Sequence, residues 1–249
     1  NIPMPKNMRS LSSALKPTIR GQRTPVGNQN SKVIRAFVHW FDEKGNQDLD
    51  LTGTFIGNDT IMHIGWNGHK SCESGCYSGD IRNRRGACAE YIDINVEKAL
   101  QEGFKYVVLD VKNYNGSTFS SVKDAVAGYM EREFPESNKN FLPSTISDCT
   151  RLQNKSSSTI MSVIDLETRE YIHLDVDTDG IPVSSANTQA MLDAIEPYCQ
   201  PPSFSVYDLI MMHVESRNGT LVKEKDAKTK FNYEDYSESY IDTLTLMGV

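Results

Sequence analysis

No stretch of this 249-residue chain is long or apolar enough to span a bilayer. Its start shows no secretory signal. The first residue is Asn rather than Met, which suggests a piece cut from something longer. A basic stripe is missing too, and the net charge of −7 argues against a general nucleic-acid binder. Cysteine is sparse and odd in number, at positions 72, 76, 88, 149 and 199. That argues against a disulfide framework in a chain this long and favours reduced thiols, hence a cytoplasmic location. The sequons at Asn58, Asn115, Asn154 and Asn218 carry meaning only in a secreted chain. Gly-x-Ser-x-Gly, the P-loop and the dinucleotide fingerprint are all absent, so enzyme signals are poor. The five histidines are scattered. His39, His63 and His173 sit in strand patterns and read as packed or edge residues, and His213 falls in a helical pattern with Met211 and Met212.

What is present is a soluble composition, 38% hydrophobic and 24% charged, long enough for one large all-β domain or two small ones. Residues 1–31 hold four prolines and five basic residues with no acid, and read as an extended basic lead-in or linker. Its charge opposes an acidic remainder, so docking on the domain surface or tethering to a partner both fit. Lys32–Phe41, Gln47–Gly57, Thr60–Trp66 and Cys88–Asn95 are rich in β-branched and aromatic residues and read as strands. A polar loop spans Asn67–Arg85. Val96–Gln101 is a short helix stopped at Gly103. Phe104–Val111 is nearly continuous apolar, a buried central strand. Phe119–Glu133 fits helix or strand, and Ile146–Leu152, Ser158–Leu166 and Glu170–Val176 are three more strands.

From residue 184 the period changes to helical, with Ala190, Met191, Ala194 and Ile195 in one segment that Pro197 should stop. Val206–Arg217 and Asp235–Met247 follow as further helices. The expected fold is mainly β: a two-sheet sandwich over 32–183 with a C-terminal α-helical cap over 184–249 packed on it.

Three clusters carry metal-binding chemistry. In Asp48-Leu49-Asp50-Leu51 the carboxylates alternate with leucines, so on a strand Leu49, Leu51 and then Phe55 face the core while both acids share the other face. Two carboxylates at that spacing lie roughly 6–7 Å apart, a pair that calcium bridges well because it takes six to eight oxygens at flexible geometry. Asp175, Asp177 and Asp179, followed by Gly180, match the opening of a calcium loop, but position twelve is Ala186 and a strand flanks it. A polar hairpin turn is the favoured reading there. His69, Cys72, Cys76 and Cys88 supply one imidazole and three thiols, enough for tetrahedral zinc, against a reading as a surface loop with free thiols.

Taken in order, Asp48–Leu51, Ser78-Gly79-Asp80, Ala89–Ile94, Tyr106–Val111, Asn113–Gly116, Phe119 and Ala127–Met130 resemble the landmark segments of the TerD-like family, over roughly residues 32–175. The tail from Val206 is similar to a TerD-like module that ends longer multidomain proteins. The resemblance implies a β-sandwich, a bacterial or phage stress-response or tellurium-resistance setting, other domains or proteins of a stress or defence system as partners, and no established enzymatic activity. It also implies calcium at one end of the sandwich, held here by Asp48, Asp50, Asp80 and Glu90. One departure is plain. The segment Ile81–Ala89 holds Arg82, Arg84 and Arg85 where the family carries more acids. Those arginines are able to replace the metal by pairing with Asp48 and Asp80. A second function class stays open, a metal-dependent hydrolase or nuclease on the same four acids, against which stands the lack of a general base beside them. A third is a metal-free structural interaction domain.

Overall fold

The computed structural model describes residues 7–10, 19–26, 31–82, 84–134, 141, 143–178, 187–200, 206–220 and 222–226. In chain order its strands are β1 Asn7–Ser10, β2 Ile19–Arg20, β3 Arg23–Pro25, β4 Val33–Asp42, β5 Leu49–Gly57, β6 Ile61–Gly65, β7 Gly75–Tyr77 and β8 Gly86–Asn95. Helix α1 (Val96–Gln101) leads into β9 Phe104–Asn113, β10 Lys123–Arg132, β11 Ile146–Arg151, β12 Ser158–Asp165 and β13 Glu170–Asp177. Helices α2 (Thr188–Cys199) and α3 (Val206–Ser216) follow.

Eleven of these strands form two antiparallel layers. One layer has the order β11-β10-β4-β8-β7 and the other β3-β13-β12-β9-β5-β6. The period of two along each strand decides what fills the gap between them. From β4 it is Ile34, Ala36, Val38 and Trp40; from β5, Leu49, Leu51 and Phe55; from β8, Cys88, Ile92 and Ile94; from β9, Val107, Leu109 and Val111. All are buried, which accounts for the β-sandwich expected from the sequence.

The outer faces are covered as well. On β4 and β8 the fully buried Arg35 pairs with Asp93 at 2.6 Å and lies 3.9 Å over the Tyr91 ring. A buried ion pair survives only when both partners are fully bonded, and here two hydrogen bonds join the groups. On the six-stranded sheet, Met191 and Ile195 of α2 pack onto Ile56, Val108, Ile160, Val163 and Ile172.

Four sequence expectations shift. The loop 67–85 contains β7, which pairs with β8 and so contributes an edge strand. The ambiguous segment 119–133 is a 3-10 turn at Phe119–Ser121 and then strand β10. Gly128 shows why no side chain is tolerated midway: a Cβ there would lie 2.1 Å from the Asp148 carbonyl of β11. Pro197 sits inside α2, which runs two residues further, since only the missing N–H and not the last turn is affected. The lead-in drawn at 1–31 contains β3, whose Arg23, Thr24 and Pro25 pair with Ile172, Tyr171 and Glu170 of β13. Helix α3 falls in a separate unit from the one that holds the sandwich. The third helix expected at 235–247 lies outside the described residues.

Candidate metal centre

At one end of the sandwich two segments meet. The first is the turn into β5. Asp42 closes it by accepting from the backbone N–H groups of Lys44, Gly45 and Gln47 at 2.7–3.1 Å. Asp48 follows, its carbonyl accepting from Tyr114 N at 2.8 Å. Asp50 lies on β5 opposite Lys112 of β9. The second segment is the loop after β7. Ser78 is pinned to Tyr91 of β8 by two hydrogen bonds, both 2.9 Å: its N–H donates to the Tyr91 carbonyl and its hydroxyl oxygen accepts from the Tyr91 N–H. Gly79 then takes a φ of +98°, a left-handed backbone that favours glycine, and turns the chain so that Asp80 comes back towards Asp48 and Asp50.

The result is a trio. One carboxylate oxygen from each of Asp48, Asp50 and Asp80 lies within 4.8 Å of the others. Asp50 is 3% exposed. Asp48 Oδ1, Asp50 Oδ2 and Asp80 Oδ1 are buried with no hydrogen-bond partner. Three neighbouring carboxylates, each with a buried and unpartnered oxygen, are costly unless a cation neutralises them. The electrostatics agree. Burial, then the charges of Asp48 and Asp80, push the Asp50 carboxyl up to about 7. Burial and Asp80 raise Asp48 as well. Arg82 opposes both shifts and pairs with Asp80 Oδ2 at 2.8 Å, leaving Asp80 Oδ1 without a partner. An all-oxygen donor set of this kind suits a hard cation such as calcium.

Glu90, expected as a fourth ligand, takes a different place. Fully buried on β8, it accepts from Leu51 N at 3.0 Å, Tyr77 Oη at 2.6 Å and Ile81 N at 2.9 Å. Leu51 follows Asp50 and Ile81 follows Asp80, so one carboxylate braces the backbone beside two members of the trio. Burial pushes its pKa up to about 8 in spite of those three donors, which favour the ionised form. The signal was in the sequence: Glu90 shares the parity of the inward-facing Cys88, Ile92 and Ile94. A carboxylate on the apolar face of a strand has to find donors inside. Its partner Tyr77 was not identified from the sequence.

Among the described residues, the other two candidate sets do not bring their ligand atoms together. Asp175, at the end of β13 with φ +54°, spends Oδ1 on Asn154 Nδ2 at 2.6 Å and Thr159 Oγ1 at 3.1 Å. Asp177 is exposed beyond it, and Asp179 lies outside the described residues. The zinc set is scattered. Cys72 packs on the core with its thiol 3.8 Å from Met62 Sδ. Cys76 donates to the Tyr77 carbonyl. Buried Cys88 donates to the carbonyls of Arg84 and Gly86, and burial raises its pKa, the reverse of what a thiolate ligand needs. His69 pairs through its backbone with Ile64. Among the described residues only the three aspartates bring metal-ligand atoms together.

Elsewhere, His173 meets Thr24 Oγ1 at 3.3 Å and Asp148 Oδ2 at 3.4 Å. Both partners face the same nitrogen, Nε2, so this is a cross-sheet brace and not the relay of a hydrolytic triad, which needs one partner on each nitrogen.

Solved structures of similar shape exist. A homologue of the telluride resistance protein TerD from Streptomyces coelicolor is 11% identical, with a TM-score of 0.45, over 59% of this chain and 92% of its own. A protein of unknown function is 15% identical, with a TM-score of 0.43, over 60% of this chain and 93% of its own. No family model and no curated protein matches the chain.

Proposed function

We propose that the sandwich is a TerD-like, non-enzymatic binding module whose loop end is ordered by calcium. The observation that carries this reading is the trio: one carboxylate oxygen from each aspartate lies within 4.8 Å of the others, each aspartate keeps one buried oxygen without a hydrogen-bond partner, and Glu90 braces both segments that supply them. Without a cation the carboxylates repel and one must take up a proton. With it, β5 and the loop after β7 are held at one point. Binding rather than turnover is the reading, because Glu90 has both oxygens engaged by donors and is not available as a base.

Calorimetric titration of calcium into metal-stripped protein tests the proposal. A single saturable site is expected, with a melting temperature that climbs with calcium concentration. Asp50→Asn should remove the heat. Absence of heat and of any melting shift up to millimolar calcium would sink the reading.

A further inference from the structure

We infer that the cation end of this sandwich binds a phosphate group, which completes the coordination of the calcium and is clamped by the arginines of the loop that supplies Asp80. This inference rests on the calcium reading and names the ligand class of the same site.

The trio cannot saturate calcium alone. Three monodentate carboxylates leave at least three of its roughly six to eight oxygen positions to other donors. Asp50 shows that the centre is built and not merely acidic, for it is 3% exposed and its Oδ2 has no partner. The rim of that centre is basic. Residues 81–89 hold Arg82, Arg84 and Arg85 and no acid, in a chain of net charge −7. All three arginines are exposed. Arg82 reaches back to Asp80. Arg85 crosses to the opposite side of the end, its side chain against Gly45 and its Nε donating to the Lys44 carbonyl at 3.3 Å. Arg82 thus stands at the trio, and Arg85 reaches from the same loop to the turn before β5.

The exposed guanidinium groups make this rim attractive to an anion, and Lys112, opposite Asp50, adds a further positive charge. The ligand that suits a hard cation flanked by guanidinium groups is a phosphate: its oxygens coordinate calcium, and its geometry matches the forked donors of arginine. Tyr114, 61% exposed and tied to Asp48 through its N–H, offers an amphipathic ring at the same rim for whatever the phosphate is attached to. A soluble phosphate ester and a phospholipid headgroup share this chemistry.

The test uses the whole chain in two steps. Calcium is first titrated by calorimetry. The calcium-loaded protein is then offered glycerol 3-phosphate in the calorimeter, and separately sedimented with phosphatidylcholine vesicles containing one part in three of phosphatidylserine. Binding of either probe that disappears with chelator is the expected result, and the arm that responds identifies the source. Arg84→Gln combined with Arg85→Gln should weaken that binding about tenfold or more while leaving the calcium heat in place, since neither side chain touches the trio. Calcium heat with no chelator-sensitive binding of either probe, or binding that the double variant leaves intact, overturns the phosphate inference alone. A missing calcium heat overturns the calcium reading and this inference with it.

Discussion

Asp50 and Glu90 are both acids in a dry place, and they differ in what surrounds them. Asp50 faces carboxylates, and Glu90 faces donors. The two substitutions should therefore act in opposite directions on the metal-free protein. Asp50→Asn removes a charge and places an amide N–H₂ between Asp48 and Asp80, which are acceptors. Stability at neutral pH should rise by on the order of 1–3 kcal/mol, read as a higher melting temperature in chelator, while calcium ceases to help. Glu90→Ala strands two backbone N–H groups and the Tyr77 hydroxyl inside the sandwich. A loss of about 3–5 kcal/mol is expected by denaturant titration, together with weaker calcium binding because the loop carrying Asp80 is no longer held. A Glu90→Ala protein as stable as the parent would show that the brace is unimportant.

At the scale of elements, the period of two made most of the sandwich legible. Leu49, Leu51 and Phe55 point inward, as their alternation with Asp48 and Asp50 requires, and α1 spans Val96–Gln101 with Gly103 following the cap at φ +85°. What stayed hidden depends on distant partners. Three residues of β7 have too little pattern of their own and exist because β8 offers an edge. The strand inside the lead-in is equally a tertiary product, since Arg-Thr-Pro has no strand signature. Its Arg23 explains why it is there. The guanidinium pairs with Glu170 at 2.7 Å and donates to the carbonyls of Tyr198, Cys199 and Gln200, the unsatisfied C-terminal end of α2. So β3 both covers the edge of β13 and fastens α2 to the sheet. Removing residues 1–31 should accordingly lower the melting temperature and expose α2 to limited proteolysis. Arg23→Ala alone should cost roughly 1–3 kcal/mol. A truncated protein that melts like the full chain would return this segment to the status of a linker. The trio itself was half legible: Asp48 and Asp50 follow from alternation, whereas Asp80 is brought in by the turn at Gly79.

For the whole molecule two raised carboxyls, Asp50 at about 7 and Glu90 at about 8, act on the response to pH in the same direction. The folded-state pKa of Asp50 lies above the ordinary aspartate value of 3.8, so the folded state favours the neutral acid. That contribution is fully present below the ordinary value and is lost as pH rises through about 7. In chelator the melting temperature should fall between pH 5 and pH 8, and saturating calcium should flatten that decline. Calcium must displace the proton, so its apparent affinity should weaken as pH drops below about 7. A melting temperature that climbs from pH 5 to pH 8 in chelator would contradict the assignment. The fold also contains its own means of following these changes. Of the two tryptophans, Trp40 is fully buried in the core, while Trp66 is partly exposed and packs edge-on against Tyr114, 5.9 Å between ring centres, next to Asp48. Trp40 is a constant optical background, and Trp66 is a native fluorophore at the cation end. Emission selected for the more solvated indole should report occupancy of the trio without any label.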